Sequence, residues 1–394
     1  MNFWIKLKNL KRKDVLFLSN ECMKKFIYAD NAATTKLNYD AFEAMKPYLL
    51  NEYGNASQPY SFARPAKKAL KEARKTIAEC INAKPEEIYF TSGGTESDNW
   101  AIKGVLLHNV KKNLITSEIE HKAVLNSANS IEKLGYSVKY LKPNSKGIID
   151  PSNLEKNITN NTGLVSIMYA NNEIGSIQPI KELCNIAHQN GALFHTDAVQ
   201  AVGHIKIDVQ ELGIDLLSAS AHKFNGPKGI GFLYIKSGID IMPYIDGGSQ
   251  ENSFRGGTEN VASIVGMACA LKNNCDHIDE NFAYIKSLEV EFLKNISELN
   301  FIKNGGQHTL PGNISISFKG KSGESLLHRL DLKGISVSTG SACNSSTMQI
   351  SHVLKAIGLN EDYAVGTIRV SIGKENTIEE IHFIANELKK IVTG

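Results

Sequence analysis

The sequence predicts an α/β fold, with a large domain built on a mostly parallel sheet and a smaller α+β domain after it. Between Glu87 and Ile235 short apolar runs alternate with segments whose apolar residues recur at three and four positions, as strands and crossover helices do. At 394 residues the chain exceeds the size at which one hydrophobic core stops growing, so two domains with a cleft between them are expected. Beyond Leu299 the texture changes to short strands mixed with helices.

Taken in order, the expected strands of the large domain are Ile88–Thr91, Leu114–Ser117, Val138–Leu141, Leu164–Tyr169, Leu193–Asp197, Leu216–Ser220 and Ile230–Ile235. Helices are expected over Glu96–Leu107, Lys122–Leu134 and Ile180–Gln189. A long helical stretch from Val261 to Leu299, broken near Asn273–Asp279, leads to strand-like Asn313–Phe318 and Ile368–Ile372. The expected division is a leader over 1–22, a large domain over 39–275, and a small domain made of 23–38 with 276–394.

Composition narrows the function. Forty-four basic and 41 acidic residues leave a net charge of +3, too little field to capture a nucleic-acid backbone. No apolar run is long enough to span a bilayer. Six scattered cysteines without a Cys-x-x-Cys pair give neither a disulfide framework nor a zinc site, which points to a reducing, cytoplasmic setting. Lys6, Lys8, Lys11, Arg12 and Lys13 crowd the leader ahead of a short apolar run, Val15–Leu18. That leader reads as a frayed end with Met23 as an alternative start, or as a weak amphipathic surface-binding segment.

Four strand-to-helix junctions carry polar groups. ALFHTDAVQAVG ends a buried strand in Asp197 and follows it with Gln200, at the edge where open sheets bind ligands; a turn-forming aspartate would look the same. LLSASAHKFNGPKGIGFLYIK carries another buried strand into Ser218, Ser220, His222 and Lys223. A lysine there is either an ordinary surface residue or an amine whose depressed pKa suits a Schiff base. In IYFTSGGTESDNWAIKG a strand feeds Gly93, Gly94 and Thr95 into a helix, making an anion site that fits a cofactor monophosphate, or a plain helix capped by Thr95 or Ser97. ITSEIEHKAV places His121 at the next junction, where an imidazole can stack on an aromatic ring and move protons. Together these junctions supply an amine, a carboxylate, a flat ring and a phosphate nest, as pyridoxal phosphate requires.

Cys343 sits in VSTGSACNSSTMQ, a run of small polar residues with Gly340 that reads as an exposed loop. Cys80, Cys184 and Cys269 lie in helical apolar surroundings and read as buried hydrophobes.

The motifs YADNAATT, TSGGTESDN, EHKAV, NNEIG, HTDAVQAVG, SAHKFNGPKGIG, RGGTENV and STGSACNSS resemble the NifS/IscS type of cysteine desulfurase, in the class-V aminotransferase family. The resemblance runs from Met23 to the C-terminus and implies the type I pyridoxal-phosphate transferase fold, that of aspartate aminotransferase, in a homodimer. It implies that Lys223 carries the cofactor, that Asp197 faces the pyridine nitrogen and that His121 stacks on the ring and takes part in catalysis. Gln200 and Asn172 would meet the phenolic oxygen or the substrate. Gly94, Thr95, Ser220 and His222 would hold the phosphate, with Thr258 reaching it from the second subunit, although the glycine-rich loop 247–258 also reads as a plain surface connection.

By the same resemblance Arg369 would bind the carboxylate of L-cysteine with its bidentate fork; by pattern alone it reads equally as a surface salt bridge. Cys343 would take the substrate sulfur as a persulfide, leaving alanine, and pass it to an acceptor protein such as an iron–sulfur scaffold. No resident metal is implied, though Cys343 could ligate an iron–sulfur cluster transiently. The rivals are selenocysteine cleavage or transamination, which would not depend on Cys343, and a non-catalytic assembly subunit. The chain ends at ELKKIVTG without the further tail of IscS-type members, which places it nearer the shorter NifS-like members.

Overall fold

A computed structural model describes residues 26–339 and 350–394. The leader 1–22 and Cys343 with its neighbours lie outside the described residues. After the short strand β1 (Ile27–Tyr28) come the strands of the larger sheet: β2 (Ile88–Thr91), β3 (Asn113–Ser117), β4 (Ser137–Leu141), β5 (Thr162–Ser166), β6 (Leu193–Asp197), β7 (Leu216–Ser220) and β8 (Gly231–Ile235). They lie in the order β2-β8-β7-β6-β5-β3-β4, all parallel except β8. Parallel pairing requires crossovers that cover both faces of the sheet, so its strands read as continuous apolar runs.

Alternation along each strand sorts these apolar residues to the two faces. Ile115, Val165, Phe194, Leu217 and Phe232 pack under helices α2 (Arg64–Cys80), α5 (Ile180–Gln189) and α6 (Val261–Asp276), with α1 (Tyr39–Leu50) lying on α6. Leu114, Leu164, Leu216 and Leu233 face α3 (Gly94–His108) and α4 (Lys122–Lys133), around the fully buried Trp100. Full burial of each such aliphatic side chain contributes roughly 1.5–3 kcal/mol. In α2, Pro65 occupies the first turn, and Ala66, Ala69, Leu70, Ala73 and Ile77 fall on one buried face.

The second core lies around β10 (Asn313–Phe318), antiparallel to both β9 (Phe301–Lys303) and β12 (Thr367–Ser371). Ile314, Ile316, Phe318, Ile368 and Val370 pack there against α7 (Ile278–Asn295), α8 (Gly323–Asp331) and α10 (Ile378–Thr393), with the short α9 (His352–Ala356) between the last two in sequence. Ile27 and Ala29 join this core because β1 pairs in parallel with β11 (Ile335–Ser336). The chain then crosses to the larger sheet, where Thr35 N–H donates to His222 O and Asn38 N–H to Asn225 O, both at 2.8 Å.

β5 and two of the cysteines depart from expectation, while the long helical stretch breaks where expected. β5 ends at Ser166, short of Tyr169, although Ile167 N–H still donates to His195 O and Tyr169 N–H to Asp197 O. The long C-terminal helical stretch divides at His277 into α6 and α7. Cys184 is buried, but Cys80 and Cys269 are only half-buried at the core margin, because the ends and outer turns of α2 and α6 reach solvent.

Candidate active site

The parallel strands β2, β3, β5, β6 and β7 all end on one edge, and the polar junction residues gather there. Ser220 closes β7 and the next turn carries His222 and Lys223. The Lys223 amine is no surface group: Nζ donates to the carbonyl oxygens of Ala32 at 2.6 Å and Ala33 at 2.9 Å. Burial, with Arg369 nearby, lowers its pKa to about 8. Gln200 Nε2 donates to the same Ala32 oxygen at 2.9 Å.

Asp197 ends β6, buried, and its Oδ1 accepts the Val199 N–H at 3.0 Å, so it also forms the turn. His121 caps α4: its Nδ1 accepts the Ala123 N–H at 3.2 Å, leaving the rest of an exposed ring toward the same edge. Asp98, on α3, completes a cluster in which the donor atoms of Asp98, His121 and Asp197 all lie within 4.8 Å of one another. Burial and the neighbouring Asp197 push Asp98 well up. Burial also pushes Asp197 up, opposed by His121, the Val199 N–H and Lys223.

Behind this pair, His195 bridges Ser166 Oγ at 2.8 Å and Ser218 Oγ at 3.0 Å, fully buried and held neutral with its pKa lowered to about 3. Glu120 lies behind His121; it accepts from Ser117 Oγ at 2.5 Å and Met168 N–H at 3.0 Å, and burial raises it to about 8.

α3 begins at Gly94, with Gly93 as its N-cap and no side-chain cap. Thr95 and Ser97 are therefore not caps: Ser97 Oγ turns inward to Thr91 Oγ1 at 2.8 Å and to Phe232 O at 3.1 Å. With φ +150° at Gly93 the chain turns sharply into the helix, and a side chain there would crowd Ser220 Oγ. The first-turn N–H groups at Gly94 and Thr95 thus point out of the helix beside Ser220, as an anion site requires. His222 Nδ1 lies 3.1 Å from Thr34 Oγ1, and burial with Lys223 lowers its pKa to about 4.

Arg369 does not form a surface salt bridge. It is 5% exposed on β12, with Nη2 2.6 Å from Asp30 Oδ1 and Nη1 donating to Asn172 O at 2.9 Å. Its buried Nε has no partner among the described residues. Loop 247–258 is not a plain connection either. Buried Glu251 holds Arg74 at 2.6 Å and 2.8 Å and accepts the Phe90 N–H at 2.9 Å, while Arg255 Nε grips Glu96 at 2.9 Å. Glu251, Asn252 and Ser253 all have positive φ, a strain these contacts hold in place. Thr258 itself stands exposed.

A family model, aminotransferase class-V, matches residues 27–384. The chain belongs to the class-V aminotransferase family. Within it, the chain is 48% identical over 376 residues to a cysteine desulfurase IscS of Dictyoglomus turgidum, spanning 94% of this chain and 95% of that one. It is 45% identical to a cysteine desulfurase IscS of Methanosarcina thermophila, spanning 93% and 92%. A solved NifS-like protein superposes with a TM-score of 0.89 at 36% identity, covering 93% of this chain and 99% of that one. SspA in complex with cysteine superposes with a TM-score of 0.80 at 38% identity, covering 89% and 99%. The fold is the type I pyridoxal-phosphate fold, and the cofactor of this family is pyridoxal phosphate.

The residues present fit that group. An amine with its pKa lowered to about 8, the buried Asp197 carboxyl near Asp98, whose Oδ1 has no hydrogen-bond partner among the described residues, and a glycine-entered helix start lie at one edge. Sequence reasoning missed Asp30, the Ala32 and Ala33 carbonyls, Thr34, Asp98, Glu120 and His195. YADNAATT held the signal for the first four, and alternation in β6 placed His195 on the face opposite Phe194.

Proposed function

We propose that this protein is a cysteine desulfurase that converts L-cysteine to L-alanine and takes the sulfur onto Cys343 as a persulfide. One observation carries it: the Lys223 amine, the Asp197 carboxylate and the His121 imidazole meet at one sheet edge, in a chain 48% identical to a cysteine desulfurase.

Lys223 would hold the cofactor through its amine and serve as the base for the substrate Cα proton. Bound pyridoxal phosphate supplies a sink for the electron pair left at that carbon. Asp197 would face the ring nitrogen and favour its protonated form, and His121 would stack against the ring. Gly94, Thr95, Ser220 and His222 would hold the phosphate. Gln200 and Asn172 orient the phenolic oxygen or substrate, and Arg369, with its unused buried Nε–H, receives the substrate carboxylate. The Cys343 thiolate attacks the substrate sulfur; the C–S bond breaks, and the carbon skeleton is protonated with help from Lys223 or His121 and leaves as alanine.

A homodimer is part of this proposal, with Thr258 completing the partner's phosphate site. It is supported by the exposed Tyr39, Leu49, Leu50, Tyr53, Tyr60 and Phe62, an apolar concentration that a second copy would cover. The same proposal divides the chain into 39–275 and 23–38 with 276–394, supported by separate clusters on the larger sheet and around β10. The persulfide would pass to an acceptor protein such as an iron–sulfur scaffold, in the cytoplasm. No described helix is long and apolar enough to cross a membrane.

The test is incubation with L-cysteine, with sulfide and alanine measured for wild type, Cys343→Ala and Lys223→Ala. Cys343→Ala should stay yellow and lose turnover; Lys223→Ala should lose both. Sulfur release by Cys343→Ala at the wild-type rate would overturn the persulfide step.

A further inference from the structure

Cys80 is the last residue of α2, and Cys275 lies in the last turn of α6. Neither takes part in the chemistry above. Cys275 Sγ lies 4.0 Å from the Cys80 carbonyl oxygen, and the two thiols are close enough to shift each other's pKa. Both are half-buried, and both line a cavity of about 120 Å³ with Ile81, Val202, Lys206 and Ile278. Cys184, by contrast, is sealed in the core.

We propose that Cys80 and Cys275 are a redox-active dithiol that a low-molecular-weight disulfide oxidises to an intramolecular disulfide. The two thiols are not equivalent. The neighbouring thiols move each other apart, Cys275 down and Cys80 up; burial and Asp276 oppose the fall at Cys275, and Lys272 adds to it. Cys275 is therefore the nucleophile. Its thiolate attacks one sulfur of the reagent, whose S–S bond breaks and releases one thiolate. Cys80, deprotonated by solvent, then attacks Cys275 Sγ, forming the internal S–S bond and expelling the second reagent thiolate. Two protein thiols are oxidised, one disulfide is reduced to two thiols, and the two protons go to the leaving thiolates.

The cavity gives the reagent a place to enter. Both cysteines sit at helix ends, where the last turn can shift without breaking a ladder of hydrogen bonds. The neighbouring Asn274 donates to Phe224 O at 2.9 Å and accepts from Lys374 Nζ at 2.5 Å. Oxidation would thus act one residue from the contact between the residue after Lys223 and the second core.

The experiment uses reduced, full-length holoenzyme incubated with oxidised glutathione under anaerobic conditions, followed by non-reducing digestion and mass spectrometry. The expected product is a Cys80–Cys275 linked peptide pair two hydrogens lighter than the separate peptides, reversed by dithiothreitol. Cys80→Ser should instead retain glutathione on Cys275, while Cys275→Ser should react more slowly at Cys80. A wild-type protein that keeps glutathione on Cys275 without the link, or whose native form leaves both thiols free while its denatured form reacts at both, overturns the proposal. Wild-type mapping decides this even if a variant fails to fold.

Discussion

Lys223 Nζ and the carbonyl oxygen of Ala32 lie 2.6 Å apart, so a strap that starts in one core ends as the resting partner of the amine in the other. The lone pair needed for attack on an aldehyde exists only in the free base. Because burial and Arg369 lower the Lys223 pKa to about 8, the amine is mostly protonated below that value and mostly free above it. Reconstitution of cofactor-free protein with pyridoxal phosphate should therefore accelerate as pH rises, with a midpoint near 8 in the absorbance-monitored rate. A midpoint near that of an ordinary lysine would contradict the assigned environment.

Asp30 is the only described carboxylate ion-paired with Arg369, at 2.6 Å, and the guanidinium is almost wholly buried. Removing one partner of such a pair leaves a charge with reduced compensation. Asp30→Ala should destabilise the fold by about 3 kcal/mol, with Asp30→Asn costing less because the amide oxygen still accepts. Denaturant midpoints of the cofactor-free protein would measure both.

The larger sheet was legible because its parallel strands are buried on both faces and read as continuous apolar runs, such as LLSAS and GFLYI. The two-residue β1 and β11 were not, since their pairing depends on partners more than three hundred residues apart and on no local pattern. Lys223, Asp197 and His121 were legible as polar endings of apolar strands. Asp98 and Glu120 were not, because a carboxyl on a helix or in a turn looks solvated until the packing around it is known. The Arg369 environment had the same difficulty: alternation on β12 shows a side, not what covers it.

Arg369→Lys separates substrate recognition from chemistry. Lysine keeps the charge but loses the planar fork that reaches Asp30 and Asn172 O together and leaves Nε free. Loss of one charge-assisted contact of roughly 1.5–3 kcal/mol corresponds to about a 10- to 100-fold rise in KM for L-cysteine. Steady-state kinetics should show kcat changing much less than KM; an equal fall in kcat with unchanged KM would mean that Arg369 acts at the transition state instead.

Glu120 is fully buried, and its carboxyl is raised to about 8, chiefly by burial, with Asp197 adding to the rise. Relative to a carboxyl titrating near its ordinary 4.5, the folded chain holds this proton over the window from 4.5 to about 8 while the unfolded chain has lost it. The folded state then binds more protons, so stability falls as pH rises through that window. Glu173, raised to about 7, adds to the fall, whereas His195, lowered to about 3 from 6.5, contributes a rise only below 6.5. The Glu120 contribution is therefore cleanest on the alkaline side of neutrality. Glu120→Gln keeps an acceptor for Ser117 Oγ and the Met168 N–H but cannot ionise. It should raise the thermal midpoint above pH 8 by about 2–4 °C and flatten its decline from neutral pH upward, as read by scanning calorimetry of wild type and variant in matched buffers. Parallel curves for the two proteins would show that Glu120 is already ionised in the fold.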